Sequence, residues 1–539
     1  MGKLANLTVL LLGAVHLGQA ASHSPYVQEP LTTPHKRIAI IGAGTGGIGT
    51  LRTLVRVLPE ELSSGWEVVV FEQRRDIGGV WLPDLNSPRP PELPETPLYG
   101  HLRTNGPHPT MTMPHFPFKP YTNLYPHHSL VWQYHQDIVC HWNLSSYFRL
   151  NHEVTETRWV GTPEAGRWRV KGQNHGQNES FASDFDHLIV ATGHNHYPHE
   201  PVILGLDQWK AAAPNRTVVH AIFFRDPADY DNKNVIILGG SGSGRDIANQ
   251  VVRHANSTYV SLKFEPEDHP QLPFPRLPGL TIKKQIDYFT PHGIVFVDNS
   301  TISDVDTVIL ATGYEYRFPF LTAGGHLDIV SDENEGEEHL TTNLRRLRPL
   351  YEHILSLDAA YPLGALYVVG LPIYINSGFN DAALGLFVAY TVAFPHLLAS
   401  RTELLEHLRA DEASQRAAGL DPPYVGHRLV RPGGATVYQD GLVEYLQVRG
   451  LAGHPGVPPL GEKFTPPWRT YGMAHGGALR RAWTRVEEAG QGEVRRWLEG
   501  VETEEDWADL IARLVEWEQG VEEEEGTSSL LAADEGYVF

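Results

Sequence analysis

Residues 37–50 read RIAIIGAGTGGIGT. An apolar run ends at Gly42, and Gly44 and Gly47 complete the spacing G-X-G-X-X-G. Few features constrain a fold as strongly. A continuous apolar run ending in glycine reads as a parallel strand buried on both faces. IGTLRTLVRVL follows with helical spacing, and WEVVVFE, Trp66–Glu72, supplies the next strand. Strand, turn, helix and strand make a βαβ unit. Within it Gly42 permits the tight turn, Gly44 lets backbone approach a pyrophosphate, and Gly47 lets helix and strand touch. Ala43, Thr45 and Gly46 complete the turn, and the free N–H groups at the helix start point at the phosphates. Glu72 ends the second strand, where a carboxylate accepts hydrogen bonds from ribose hydroxyls. The spacing to Glu72 is long for the motif, and PEELSSG accounts for the extra length.

A second turn lies about 200 residues on, a spacing too wide for a solenoid repeat. NVIILGGSGSGRDIA, Asn234–Ala248, holds Gly239, Gly242 and Gly244, with Ser241 where the middle glycine belongs. A serine there narrows the backbone approach. The next strand, TYVSLKF, reaches Ser261 and Lys263 with no acid at its end. A cation at that place suits a 2′-phosphate and favours NADPH over NADH. The two halves also echo each other: residues 186–193 read DHLIVATG and residues 306–313 read DTVILATG. The pattern predicts an α/β chain of two dinucleotide-binding, Rossmann-like domains, the second inserted into the first, with a helical C-terminal extension. The expected boundaries are 36–222 with 305–400 for the first domain, 223–304 for the second, and 401–539 for the accessory region.

The chain has 539 residues, enough for more than one core. Its formal net charge of -21 repels nucleic acid and anionic lipid, so neither is expected as a partner. The one cysteine, Cys140, excludes an intramolecular disulfide and a Cys-X-X-Cys redox pair. None of the 28 histidines stands in a metal-ligand spacing, adjacent pairs such as His127-His128 included, so no metal is expected. The first 20 residues have the form of a signal peptide: Lys3, an apolar core from Leu7 to Val15, and small residues at Gly18 and Ala20. No other membrane span is visible. Asn-X-Ser/Thr sequons begin at Asn143, Asn178, Asn215, Asn256 and Asn299, besides Asn6 in the leader. Leader and sequons together predict a glycoprotein of the secretory route.

Between the motifs, LPDLNSPRPPELPETP reads as a surface excursion, residues 99–121 as loop, and residues 129–150 as a helical pattern. In the accessory region Trp507, Leu510, Ile511, Leu514 and Trp517 form one helical packing face, and Thr503 with Asp506 resembles a capping box.

These pieces resemble the flavin-containing monooxygenase family (class B), of the type met in fungal secondary metabolism, over roughly residues 36–400. The first turn corresponds to that family's FAD fingerprint. IGGVW, Ile77–Trp81, is similar to its element beside the flavin, which implies contacts from Val80 and Trp81. LRTNGPHPTMTMPHFPF resembles the segment whose Thr-Asn pair meets both FAD and NADP, here Thr104 and Asn105 with Gly106 beside them. SGRDIA resembles the segment in which Ser243, Gly244, Arg245 and Asp246 touch NADP. The resemblance implies that NADPH reduces FAD and that reduced FAD forms a C4a-hydroperoxide with oxygen. One oxygen atom then passes to nitrogen or sulfur of a small molecule or peptide. Asn105 is the implied catalytic group. One element departs: the family's Phe-X-Gly-X-X-X-His-X-X-X-Tyr/Phe reads PNRTVVHAIFF, with His220 and Phe224 kept but Pro214 and Arg216 in place of Phe and Gly. The tryptophan that ends this motif in Baeyer–Villiger relatives is absent. The same residues leave two alternatives open, an NADPH oxidase that releases hydrogen peroxide and a non-catalytic flavin-binding protein.

Overall fold

Two sheets organise the chain, the first parallel apart from Leu350–Tyr351 and Leu355–Ser356, which add antiparallel at one edge, and the second parallel throughout. The computed structural model describes residues 35–86, 89–263, 277–430 and 433–525; the expected leader at 1–20, the sequon at Asn6 and residues 526–539 lie outside these. The first sheet has seven strands. At its centre Lys36–Ile41 runs parallel to Trp66–Phe71 on one side and to His187–Val190 on the other. Leu366–Val368 continues beyond His187–Val190, again parallel. The central strands are buried on both faces, as with Ile38, Ala39 and Ile40 at 0% exposure, which is why their sequence runs apolar without alternation. Thr45–Arg52 forms the helix after the first turn and packs against the long helix Ser377–Ala393. The extra length before Glu72 holds a short helix, Glu60–Ser63.

The second sheet has five strands in the order Leu280–Lys283, Ser257–Ser261, Asn234–Leu238, Thr307–Leu310, Thr217–His220, all parallel. This corrects the expected boundaries. Residues 217–220 and 307–310 were assigned to the first domain, but they close the second sheet, so it spans 217–310. The physical reason is that Val308 and Val218 pair side by side, which leaves no break at 223 or 304 for a linker. The departing motif is therefore an edge strand. Arg216 donates to the carbonyl oxygens of Trp209 and Pro291, each at 2.8 Å, and lies over the Trp209 ring. His220 is buried and bonds the carbonyl oxygen of Gly313 at 3.0 Å.

An antiparallel sheet, His152–Gly161, Gly166–Asn174 and Glu179–Phe185, packs on the first. The accessory region is helical as expected: Arg401–Ala417, Gly434–Leu446, Pro467–Ala474, Gly476–Glu488, Gln491–Leu498 and Glu504–Glu525. Thr503 and Asp506 do close a box, the Asp506 carboxylate accepting the Thr503 N–H at 2.8 Å. Trp507, Leu510, Ile511 and Leu514 are buried, while Trp517 stays 37% exposed at the edge of the stripe. Among the described residues no helix is long and apolar enough to cross a membrane.

Candidate active site

The two glycine turns share one construction. Gly42 has φ +104°, and a Cβ there would stand 2.5 Å from the carbonyl oxygen of Ala191. A Cβ on Gly47 would lie 2.0 Å from the carbonyl oxygen of Gly42. Gly239 repeats the first feature, with φ +106° and Ala311 at 2.4 Å, and Gly244 repeats the second at 2.0 Å from Gly239. Ala191 and Ala311 are the alanines of the two Ala-Thr-Gly elements. Each echo in the sequence is thus a strand end that backs the glycine of its own turn. Gly44 and Ser241 also hold the same extended backbone, with φ/ψ of -78°/-171° and -80°/-170°. Any residue adopts that conformation, so Ser241 is unstrained, and its side chain is exposed.

Glu72 is buried, and its carboxylate accepts the N–H of Ala43 and the N–H of Arg74, both at 2.8 Å. Burial pushes this carboxyl up from its ordinary value against the pull of those two donors. Glu72 therefore shapes the turn itself, and each oxygen keeps a lone pair for a ligand hydroxyl. The turn Gly78–Trp81 lies directly on the cradle: Gly78 donates to the Ala43 carbonyl at 2.9 Å, and a Cβ on Gly79 would meet the Gly44 Cα at 2.8 Å. Val80 is exposed and Trp81 half-buried. Arg74 holds this turn by donating to the carbonyl oxygens of Gly79 at 2.9 Å and Leu82 at 2.8 Å while pairing with Glu95 at 3.0 Å. The proline-rich stretch is thus tied down at its base, while Leu85, Asn86 and residues 89–92 are exposed as a surface excursion would be. Arg225 fastens it as well, through Asp84 at 3.0 Å.

Thr104 is buried and donates to the Gly106 carbonyl at 2.9 Å, which leaves Asn105 exposed at the tip. A Cβ on Gly242 would stand 3.9 Å from the Asn105 Nδ2. The structure thereby brings Asn105, from the first lobe, to the helix start of the second. On that helix Ser243 is exposed and Arg245 half-buried. Asp246 is engaged elsewhere than the residue pattern suggests: it accepts from the Tyr99 hydroxyl and from Gln250, and burial raises its carboxyl. It ties the second lobe to the segment that carries Asn105.

Lys263 has neighbours that escaped the sequence reading, as does the wall of the first turn. Lys263 lies 4.6 Å from the ring centre of Tyr424, and Arg345 and Arg428 approach the same ring at 5.2 and 5.8 Å. Beside the first turn, a Cβ on Gly46 would meet Val369 at 3.4 Å and the Asp381 Oδ1 at 3.8 Å. Asp381 is fully enclosed, and burial pushes its carboxyl up to about 7. Asn376, which starts the same helix, is buried with neither side-chain polar atom partnered among the described residues. The only signal for this wall was LYVVG, Leu366–Gly370, an apolar run ending in glycine ahead of a helix.

These features suit dinucleotides: two helix starts with close-packed glycines, and a carboxylate at a strand end beside the first. The comparisons agree. The family model described as flavin-binding monooxygenase-like matches residues 35–265 and 270–332, more than half of the chain. Flavin-containing monooxygenase FMO GS-OX2 of Arabidopsis thaliana is 29% identical over 420 residues, covering 75% of this chain and 83% of the relative. The thiol-specific monooxygenase of Saccharomyces cerevisiae (strain ATCC 204508 / S288c) is 30% identical over 331 residues, covering 59% of this chain and 69% of the relative. The structure of S-allyl-L-cysteine S-oxygenase from Allium sativum shares the fold, with a TM-score of 0.65 and 24% identity over 90% of this chain and 99% of that one. The chain belongs to the flavin-binding monooxygenase-like family and is a flavin-dependent monooxygenase.

Proposed function

We propose that this enzyme oxygenates a sulfur or nitrogen atom of a small molecule or peptide, with FAD in the first cradle and NADPH in the second. The observation that carries this reading is the meeting of Asn105 with Gly242, which brings an amide of the first lobe to the second cradle. A bound flavin would supply acceptance of hydride from NADPH and transfer of one atom of O2 to a soft nucleophile, the other atom leaving as water. The chain's own residues bind and orient. The N–H groups from Gly44 to Gly47 would hold the first pyrophosphate, Glu72 the ribose, and the Gly78–Trp81 turn the flavin end. Asn105 would donate from its amide at the junction. In the second lobe the N–H groups of Gly242 to Gly244 would hold the other pyrophosphate, and Lys263 would meet a 2′-phosphate. Arg345 and Arg428 add positive charge around the same ring, in a protein whose net charge is -21.

Sulfur is favoured because the yeast relative is named for thiols and the Allium neighbour for S-allyl-L-cysteine. The test is incubation of the purified holoenzyme with NADPH, oxygen and a panel of thioethers, thiols and tertiary amines. A product heavier by one oxygen, formed in step with NADPH, supports the reading. NADPH consumption that yields only hydrogen peroxide with every substrate would instead make it an oxidase, and no consumption a flavin-binding protein. For cofactor choice, Lys263→Glu should raise the KM for NADPH by about tenfold while leaving that for NADH within about twofold, since a lost charge contact is worth about 1.4 kcal/mol per decade. Equal effects on both would remove Lys263 from the phosphate site.

The secretory assignment is proposed on the leader and the sequons. All five described sequon asparagines are exposed, and Asn143, Asn178 and Asn299 sit at φ of 50°, 56° and 64° in tight turns. A mass shift on treatment of natively produced protein with an N-glycosidase is the expected result.

A further inference from the structure

Arg480 lies on the helix Gly476–Glu488, beyond residue 332 where the family match ends. Its guanidinium Nη2 donates to the carbonyl oxygen of Thr104 at 2.9 Å and to that of Asn105 at 2.7 Å. The same group lies flat over Tyr125, 3.5 Å from the ring centre, and Tyr125 is itself 1% exposed. Two more residues on this helix face reach the same segment. Trp483 donates to the Asn123 side chain at 2.9 Å, and Glu487 accepts from Asn123 and Arg103, each at 2.6 Å. One helix face thus grips residues 103–105 and 123–125 together. Only Arg480, however, bonds the two carbonyls that flank the Asn105 side chain. The negative charge of Asp246, on the second lobe's helix, also acts on Arg480.

We infer that Arg480 is a positioning residue for the oxygenation reaction: it fixes the Thr104–Asn105 backbone so that the Asn105 amide faces the start of the second lobe's helix. The inference rests on the reading that Asn105 serves both dinucleotides. The physical logic is geometric. Asn105 sits exposed at a loop tip, and the neutral bonds at Thr104, from its hydroxyl to Gly106 and from its N–H to Pro126, do not by themselves set the direction of the next side chain. Two charge-assisted bonds from a ring-stacked guanidinium do. A displaced amide would then hold NADP+ less well and let activated oxygen escape as peroxide.

The experiment compares Arg480→Ala, Glu487→Gln and Asn105→Ala as purified holoenzymes. FAD content, thermal midpoint, NADP+ affinity by quenching of flavin fluorescence, and peroxide released per NADPH are read for each. Arg480→Ala should keep its FAD yet lose NADP+ affinity between about 10- and 100-fold and release more peroxide, as expected for a misplacement of about 1 Å. Free guanidinium ion should restore part of both. Glu487→Gln, which loosens the same helix without touching the carbonyls, should lower the midpoint and leave NADP+ affinity and peroxide release as in the wild type. If Arg480→Ala lowers only the midpoint, like Glu487→Gln, or guanidinium restores nothing, Arg480 is a structural anchor and the inference is wrong. If Arg480→Ala does not fold, Arg480→Lys is read in its place: wild-type NADP+ affinity and coupling in a lysine variant with a shorter reach would overturn the inference. Asn105→Ala separates the two ideas. Wild-type NADP+ affinity and coupling in that variant would defeat the reading of Asn105, and Arg480 with it. A defect in Asn105→Ala with none in Arg480→Ala would defeat the Arg480 inference alone.

Discussion

At the scale of single residues, the glycines of the first cradle separate folding from binding. A Cβ at position 47 would collide with the Gly42 carbonyl at 2.0 Å, whereas one at position 44 meets only the Gly79 Cα, at 3.5 Å, from an unstrained backbone. Gly47→Ala is therefore expected to fail in folding. Gly44→Ala should fold with its thermal midpoint nearly unchanged and bind FAD about tenfold or more weakly, a loss of about 1.4 kcal/mol. Equilibrium dialysis of the apoprotein against FAD checks this, and unchanged affinity in Gly44→Ala would refute a backbone approach at that position. Residue identities made this cradle legible, because strand, glycines and helix follow one another within a few turns of chain. Asp381 was not legible, for it reaches the cradle from a helix more than 300 residues away and carries no spacing that marks it.

At the scale of elements, the sequence announces a strand or helix more clearly than it announces what that element packs on. The strand Thr217–His220 stood in the sequence only as part of the motif PNRTVVHAIFF, and its place in the second sheet depends on pairing with Thr307–Leu310, far off in the chain. The helix Arg401–Ala417 shows the same limit. It docks by burying Glu412, at 5% exposure, which accepts from Arg346 at 3.1 Å and from Arg348 at 2.8 Å. Those arginines also pair with Glu335 and Glu337. The arginines hold the Glu412 carboxyl below its ordinary value despite the opposing effect of burial. Glu412→Ala would leave buried guanidinium groups short of a partner, and a loss of about 3 kcal/mol is expected. Urea unfolding followed by tryptophan fluorescence measures it, and a change under about 1 kcal/mol would show that water or Glu335 and Glu337 suffice.

At the scale of the whole molecule, buried histidines set the acid limit. Burial lowers His108 to about 3, and His135, His187 and His194 to about 4, from an ordinary value of 6.5. Each folded value lies below the unfolded one, so the unfolded chain gains protons first as pH falls. Stability present above pH 6.5 is lost between 6.5 and 4, by roughly 1–2 kcal/mol per ring at pH 5. Asp381 acts in the opposite sense, since its raised value of about 7 makes the folded form the better proton holder between about 4 and 7. The histidines outnumber it, and the thermal midpoint should fall steadily from pH 7 to pH 5; a flat or rising profile would contradict their burial. Little of this was visible in advance, because nothing local distinguishes an enclosed imidazole from a surface one. The grip of the C-terminal helices on residues 103–125 carries a last consequence, for protein engineering. Arg480 and Asn105 are 375 positions apart yet form one mechanical part. A chimera that takes its front half from one homologue and its tail from another cuts that part in two, so crossover libraries should recover activity chiefly where both pieces come from the same parent.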